Sequence, residues 1–439
     1  MQRILIHNGI VADPSQGLHD RLDLLIEDGR IAEVAKDIPR DRADRLIDAQ
    51  GFTISPGFID LHTHLREPGG EGSETIETGS RAAAAGGFTT IYCMPNTNPV
   101  CDTRTGVQFV VSRAETSGII RVIPVASVTR GQKGEELAEF GALLETGAGA
   151  FSDDGHPVMN ANIMRRALAC TRMLGVPIFD HAEDMDLTGA GVMHEGPVSL
   201  RLGLPGIPRI SESTIVARDI ALADETGGHI HICHVSARES VEAIREGKRN
   251  GIRVTAEVSP HHLTMTDEAV IGYNTHAKMK PPLNAEEDRQ ALIAALEDGT
   301  IDCVATDHAP HAATTKLNVF DGAPYGIIGM ETAFPVLYTD FVATGQWSLE
   351  FLIEKMALAP ARIMEQPWGT LRPGSLADLT LLDLNCEYTF EERHLRSKSS
   401  NCPWLGKTMK ARIAATLLGG EIVFTNPDCF SVEREGAAL

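Results

Sequence analysis

Short apolar runs separated by Gly and Asp open the chain: RILIHNG, then LDLLIEDGRIAEVA, then RLIDAQG. Runs of this length between turn formers predict antiparallel strands. From Ile54 the pattern changes. Eight apolar runs, FTISPGFID, GFTTIYCM, RVIPVAS, GAGAFS, VPIFD, HIHICH, IRVTAEV and IDCVAT, follow one another, with helical stretches such as Glu135–Glu145, Asn160–Leu174, Ser211–Thr226 and Ser236–Arg249 between them. Repeated strand–helix units build a parallel sheet, and eight of them close it into a barrel. After about Ala359 strand-and-turn material returns in TLRPGSLADLTLLDL and ARIAATLLGGEIVF. The pattern therefore predicts an α/β protein: a (β/α)8 TIM-like barrel over residues 55–358, with a small β-sandwich built from both chain ends, residues 1–54 and 359–439.

Composition narrows the class. With 439 residues, 43% hydrophobic and 23% charged, the chain can bury a large core. A net charge of -21 without a basic stripe argues against a nucleic-acid partner. Eight cysteines without a C-x-x-C pair indicate neither a disulfide framework nor a thiolate metal site, which fits a reducing cytoplasm. No apolar run approaches the ~20 residues that span a bilayer, and the N-terminus lacks a leader pattern, so no membrane association is expected.

Candidate chemistry sits at the ends of the runs. His62 and His64 flank Thr63 after the first barrel run, and residues two apart on an extended chain face the same side. Asp153-Asp154, His181, His234 and Asp307 end four other runs. In a (β/α)8 barrel those ends meet at one face, where such folds place their sites. Four histidines with two or more carboxylates make a candidate two-metal site, and ligands without thiolate favour zinc. His229 and His231, inside a strand, read as packed core residues, and His156, His194 and His276 as surface or loop residues. Of Asp153 and Asp154 one bridges the metals and the other caps a turn; position alone does not choose.

These motifs resemble a family. His62-Thr63-His64-Leu65-Arg66-Glu67-Pro68-Gly69, Gly86-Gly87-Phe88-Thr89-Thr90 and Met94-Pro95-Asn96-Thr97 are similar to the signature of type I dihydroorotases, of the amidohydrolase superfamily. Phe151-Ser152-Asp153-Asp154-Gly155, Asp180-His181-Ala182-Glu183-Asp184, His234-Val235-Ser236, Pro260-His261-His262-Leu263, Thr306-Asp307-His308-Ala309-Pro310-His311 and Ala323-Pro324-Tyr325-Gly326 continue it in the family's order. The resemblance implies a reversible closure of N-carbamoyl-L-aspartate to L-5,6-dihydroorotate in pyrimidine biosynthesis. It implies two zinc ions per chain: His62, His64 and Asp307 on one, His181 and His234 on the other, and Asp154 bridging. A zinc-bound hydroxide then attacks the amide, and Asp307 is the expected proton shuttle.

A substrate carboxylate calls for a guanidinium and amide donors, a need that Arg66 and Asn96 fit. The resemblance adds His64 and His311 to the substrate contacts and the backbone at Tyr325-Gly326 against the ring. It also exposes two departures: Lys280 and Asn284 stand where the family usually has Asn and Arg, and Lys280 occupies a position used for substrate contact. The polar segment HAATTKLNVFDG after Pro310 reads as a mobile covering loop. Hydantoinases and allantoinases are the nearest enzyme alternative, but they typically bridge their metals with a carboxylated lysine, and the fourth run ends in aspartates. A non-catalytic partner of aspartate carbamoyltransferase is disfavoured because every ligand position is filled. Assembly with that transferase, or as a homodimer, is compatible with activity.

Overall fold

The computed structural model describes residues 3–430; the end of the expected C-terminal segment, 431–439, lies outside them. Seven strands come first: β1 (Arg3–His7), β2 (Ile10–Asp13), β3 (Leu18–Arg21), β4 (Asp23–Glu27), β5 (Arg30–Ala35), β6 (Arg45–Asp48) and β7 (Thr53–Pro56). The barrel strands follow: β8 (Phe58–Thr63), β9 (Phe88–Cys93), β10 (Arg121–Ala126), β11 (Ala150–Ser152) and β12 (Ile178–Asp180). A short excursion, β13 (Met193–His194) and β14 (Gly206–Ile207), precedes β15 (Ile230–Ile232), β16 (Val254–Val258) and β17 (Cys303–Val304). The C-terminal strands are β18 (Leu379–Asp383), β19 (Tyr388–Thr389), β20 (Thr408–Met409), β21 (Arg412–Leu418) and β22 (Glu421–Thr425).

The barrel sheet runs β17-β16-β15-β12-β11-β10-β9-β8, every neighbour parallel. Its ends meet through a parallel bridge from Thr63 to His308 and through Asp60, which accepts from the Thr306 amide (3.0 Å) and hydroxyl (2.6 Å). Each expected apolar run holds one of these strands, as buried parallel strands require. The first run is divided. Its first half, β7, joins the small sheet and its second, β8, the barrel, with the change at Gly57, where a Cβ would lie 2.3 Å from the Thr89 side chain.

Both chain ends build the second unit. One sheet is β5-β4-β1-β6 and the other β22-β21-β18-β7-β2-β3, so the second draws on both termini. Ile4, Ile6, Leu24 and Ile26 of the first face Val11, Ile54, Leu379 and Leu417 of the second. The expectation of purely antiparallel pairing is corrected, since β1 pairs parallel with β6 and β2 with β7. The cause is a change of sheet between β1 and β2 at Asn8, whose φ is 66°, so that later strands enter alongside.

Three further readings change. The expected helix at Glu135 starts only at Phe140, because Glu136 to Ala138 ladder with Val128 to Arg130. His194 is buried rather than a surface or loop residue, turned inward by the β13–β14 ladder. The last helical run, from Leu349, continues to Ile363, where Ala361, Ile363 and Met364 pack beneath Ile59 and Leu61. We propose on this ground that the barrel unit ends after Met364. Among the described residues no helix is long and apolar enough to cross a membrane.

Candidate active site

At the C-terminal face of the barrel the strand ends converge. His62 lies on β8 and His64 just beyond it; Asp154, His181, His234 and Asp307 follow β11, β12, β15 and β17. All six side chains are buried. His62 Nε2 is 3.2 Å from Asp154 Oδ1 and 3.6 Å from Asp307 Oδ1. His64 Nε2 is 3.1 Å from Asp307 Oδ1 and 3.4 Å from Asp154 Oδ2. Across the site, His181 Nδ1 and His234 Nε2 are 2.9 Å apart and 3.5 and 3.7 Å from Asp154 Oδ1. His62 Nε2 and Asp154 Oδ1 have no hydrogen-bond partner although both are buried. Buried polar atoms are otherwise almost always paired, and a cation between these groups would satisfy both. Of the four ligand sets close enough to hold one among the described residues, two lie at this face, His62–His64–Asp307 and His62–Asp154–His234; the other two centre on Glu257 behind it.

The adjacent aspartates separate cleanly. Asp153 turns into the wall, where it accepts from the Ser127 hydroxyl (2.6 Å), the Thr129 amide (3.0 Å) and the Thr129 hydroxyl, while Asp154 occupies the centre. His234 and Asp307 hold positive φ, 36° and 49°, a strained backbone that recurs at ligand clamps. Burial works against charge here, yet the carboxylates of Asp154, Glu257 and Asp307 hold His62 well above its ordinary pKa. Burial likewise opposes ionisation of Asp154 and Asp307, but His62 and the other histidines hold both below the usual carboxylate range.

Behind the ligands lies a layer that the sequence reading missed. Glu257, on β16, accepts from His62 Nδ1–H (2.7 Å), His231 Nε2–H (3.0 Å) and the His234 amide (3.3 Å). The chain continues from His231 through the Thr255 hydroxyl (2.9 Å) to His229 (2.8 Å), so these two histidines are core residues that brace the site from below. Glu183 accepts from His181 Nε2–H at 3.2 Å. A carboxylate on the outer nitrogen fixes an imidazole's tautomer and turns the inner nitrogen toward its ligand. A Glu inside the apolar run IRVTAEV was the available signal for Glu257. His261 is also buried beside the site, with neither ring nitrogen paired.

The mouth carries the expected substrate groups. Arg66, at φ 59°, donates from Nε to the Pro310 carbonyl (3.2 Å) and has no carboxylate within ion-pair distance among the described residues. It is not the surface salt bridge that an arginine at a rim usually forms. Asn96 is committed to its neighbours: its Oδ1 accepts from His64 Nδ1–H (2.9 Å) and its Nδ2 lies 3.4 Å from Asp154 Oδ2. His311 donates to the Tyr325 carbonyl (2.6 Å), and Tyr325 donates its hydroxyl to Gly191 (2.9 Å). Gly326 sits at φ 119°, with Ala309 Cβ only 2.6 Å from where its own Cβ would be, so no other residue fits. Lys280 stands at the same mouth, but its ammonium pairs with Glu183 at 2.9 Å. Asn284 donates to the Ser236 carbonyl (3.0 Å) and bears on the loop after His234. The expected mobile loop carries two short helical turns and is pinned. Lys316 Nζ donates to the carbonyls of Thr275, Lys278 and Pro324, and Lys278 Nζ to those of Phe320 and Asp321.

Comparison with known proteins agrees with this geometry. Residues 51–240 match the family model described as Dihydro-orotase-like. A dihydroorotase of Pelobacter propionicus is 48% identical over 421 residues, covering 96% of this chain and 99% of the relative. One of Pelotomaculum thermopropionicum is 49% identical over 421 residues, covering 96% and 98%. Among solved structures, an L-hydantoinase (dihydropyrimidinase) from Arthrobacter aurescens superposes with a TM-score of 0.87 at 25% identity, covering 98% of both chains. A D-hydantoinase superposes with a TM-score of 0.85 at 23% identity, a likeness of fold. Hydantoinases thus share the architecture, while the near-full-length sequence identity is with dihydroorotases. This chain belongs to the dihydroorotase family.

Proposed function

We propose that this protein is a dihydroorotase that interconverts L-5,6-dihydroorotate and N-carbamoyl-L-aspartate, and that it holds two zinc ions to do so. The observation that carries the reading is the unpartnered pair His62 Nε2 and Asp154 Oδ1, ringed by His64, His181, His234 and Asp307 and overlooked by the unpaired Arg66 guanidinium. His62, His64 and Asp307 would hold one ion, His181 and His234 the other, and Asp154 both. When bound, such ions polarise an amide carbonyl and make water a competent nucleophile near neutral pH.

The chain's own residues do the rest. Arg66 receives the substrate carboxylate, because a guanidinium fork matches its geometry, with His311 beside it. Asn96 holds the His64 ring through Oδ1 and keeps its Nδ2 toward Asp154, at the wall that the carboxylate would meet. The backbone at Tyr325-Gly326 limits the ring's far side. In ring opening Asp307 begins ionised, takes a proton from the attacking water and delivers it to the ring nitrogen as the C–N bond breaks. In ring closure it begins protonated and the proton travels back. His308 is excluded from that role, since its ring is spent on Glu74 (3.4 Å) and the Gly329 amide (3.2 Å).

Asp307→Asn tests the assignment. The amide keeps the shape and a metal-facing oxygen but accepts no proton. Metal content should survive, while turnover in both directions falls by on the order of 10²–10⁴. Near-wild-type turnover with the metals in place would move the shuttle to another group.

A further inference from the structure

A buried ion pair at the mouth is left unused by this reaction. Glu183 lies two residues past His181, is buried, and is enclosed by three donors: His181 Nε2–H on Oε2 (3.2 Å), and the Thr188 hydroxyl (2.7 Å) and Lys280 Nζ (2.9 Å) on Oε1. Lys280 belongs to a distant segment and reaches Glu183 past the Tyr325 ring, whose centroid is 5.5 Å from the ammonium. Its side chain is only 19% exposed. An ammonium so placed could serve a substrate carboxylate only by letting go of Glu183, and that would leave a buried carboxylate without its cation. Removing one partner of a buried pair is far costlier than removing both.

His181 depends on Glu183 in turn. With Nε2–H fixed on the carboxylate, its Nδ1 is the nitrogen that faces Asp154 Oδ1 and His234 Nε2. A ring free to turn about its Cβ–Cγ bond would present a carbon there half the time.

We propose that Lys280 is a positioning residue: it anchors Glu183, and Glu183 locks the His181 ring with Nδ1 toward the cation site. The inference rests on the metal-dependent reading above and replaces the expected substrate contact at Lys280. It predicts a division that a substrate contact would not produce. Loss of Lys280 should loosen metal, and removing the Glu183 charge as well should restore part of that loss.

The test is zinc affinity by chelator competition on the full-length chain, for wild type, Lys280→Met, Lys280→Arg and the double variant Lys280→Met/Glu183→Gln. KM and kcat for dihydroorotate are measured on the zinc-saturated proteins. Lys280→Met should weaken one zinc site by up to about 10-fold, the lower end of the cost of losing a ligand's outer partner itself, with KM within about threefold of wild type. Lys280→Arg should recover most of the affinity, and the double variant should bind more tightly than Lys280→Met. Unchanged zinc affinity with KM raised about tenfold or more would overturn the proposal and make Lys280 a substrate contact. If Lys280→Met does not fold, the other two variants decide. A Lys280→Arg protein that loses zinc, or a double variant weakened by more than about 100-fold against wild type, overturns it equally. A wild type that binds zinc but leaves dihydroorotate untouched would refute the substrate reading instead, and the zinc comparison would still stand.

Discussion

Replacing Glu257 by Gln removes a single charge from behind the site without removing volume. The carboxylate accepts from His62 Nδ1–H, His231 Nε2–H and the His234 amide, and these histidines hold it ionised, at about 2, against full burial. A glutamine has one oxygen for three donors, and its own NH2 must face one of them. His231 can relieve that clash by moving its proton to Nδ1, toward Thr255, so the His231 bond reverses and those from His62 and the His234 amide become neutral. A buried charge-assisted bond is worth about 1.5–3 kcal/mol, and each 1.4 kcal/mol is tenfold in affinity. Zinc should therefore bind about 10–100-fold more weakly, in line with the usual cost of losing a ligand's outer partner. Chelator competition reads this directly, and a thermal melt of the metal-free protein separates it from loss of fold. If the variant melts earlier but binds zinc within about threefold of wild type, Glu257 only packs the barrel and the orienting role is wrong.

Asp154→Ala should lose metal far more completely than Asp153→Ala, because Asp153 spends its oxygens on Ser127 and Thr129; elemental analysis of both variants checks it, and the reverse order would misplace the bridge. Glu331 offers a pH test away from the site. Burial pushes its carboxyl up to about 8, whereas an unfolded chain ionises it near 4.5. Between those values the folded state holds a proton that the unfolded state has lost, so this group's contribution to stability is present at low pH and is lost as pH rises toward about 8. Melting temperature in Glu331→Gln should fall less than in wild type over that range, and parallel curves would contradict the assignment.

The barrel was legible because buried parallel strands are apolar throughout and stand out as runs, and because the ligands sit where those runs end. His62, His64, Asp154, His181, His234 and Asp307 could be named on those grounds and from the motifs, and the fold brings them within a few ångström of one another. What lay outside the reading is contact across the chain. His62 and Glu257 are 195 positions apart, and no local pattern joins them. Lys280 showed the same limit: the resemblance placed it at a position used for substrate contact, and its ion pair with Glu183, 97 positions away, has no local sequence signal. The FTISPGFID run misled because one apolar stretch serves two sheets, a change that a glycine permits but does not announce.

An acidic ring amide as substrate, held by Arg66 above the paired carboxylates and imidazoles, is what a specificity comparison tests. The most direct measurement compares kcat/KM for L-dihydroorotate and for hydantoin on the same zinc-loaded preparation. Loss of a bidentate charged contact costs about 1.5–3 kcal/mol, so dihydroorotate should be preferred by at least about tenfold. Equal or faster opening of hydantoin would contradict a carboxylate clamp at Arg66.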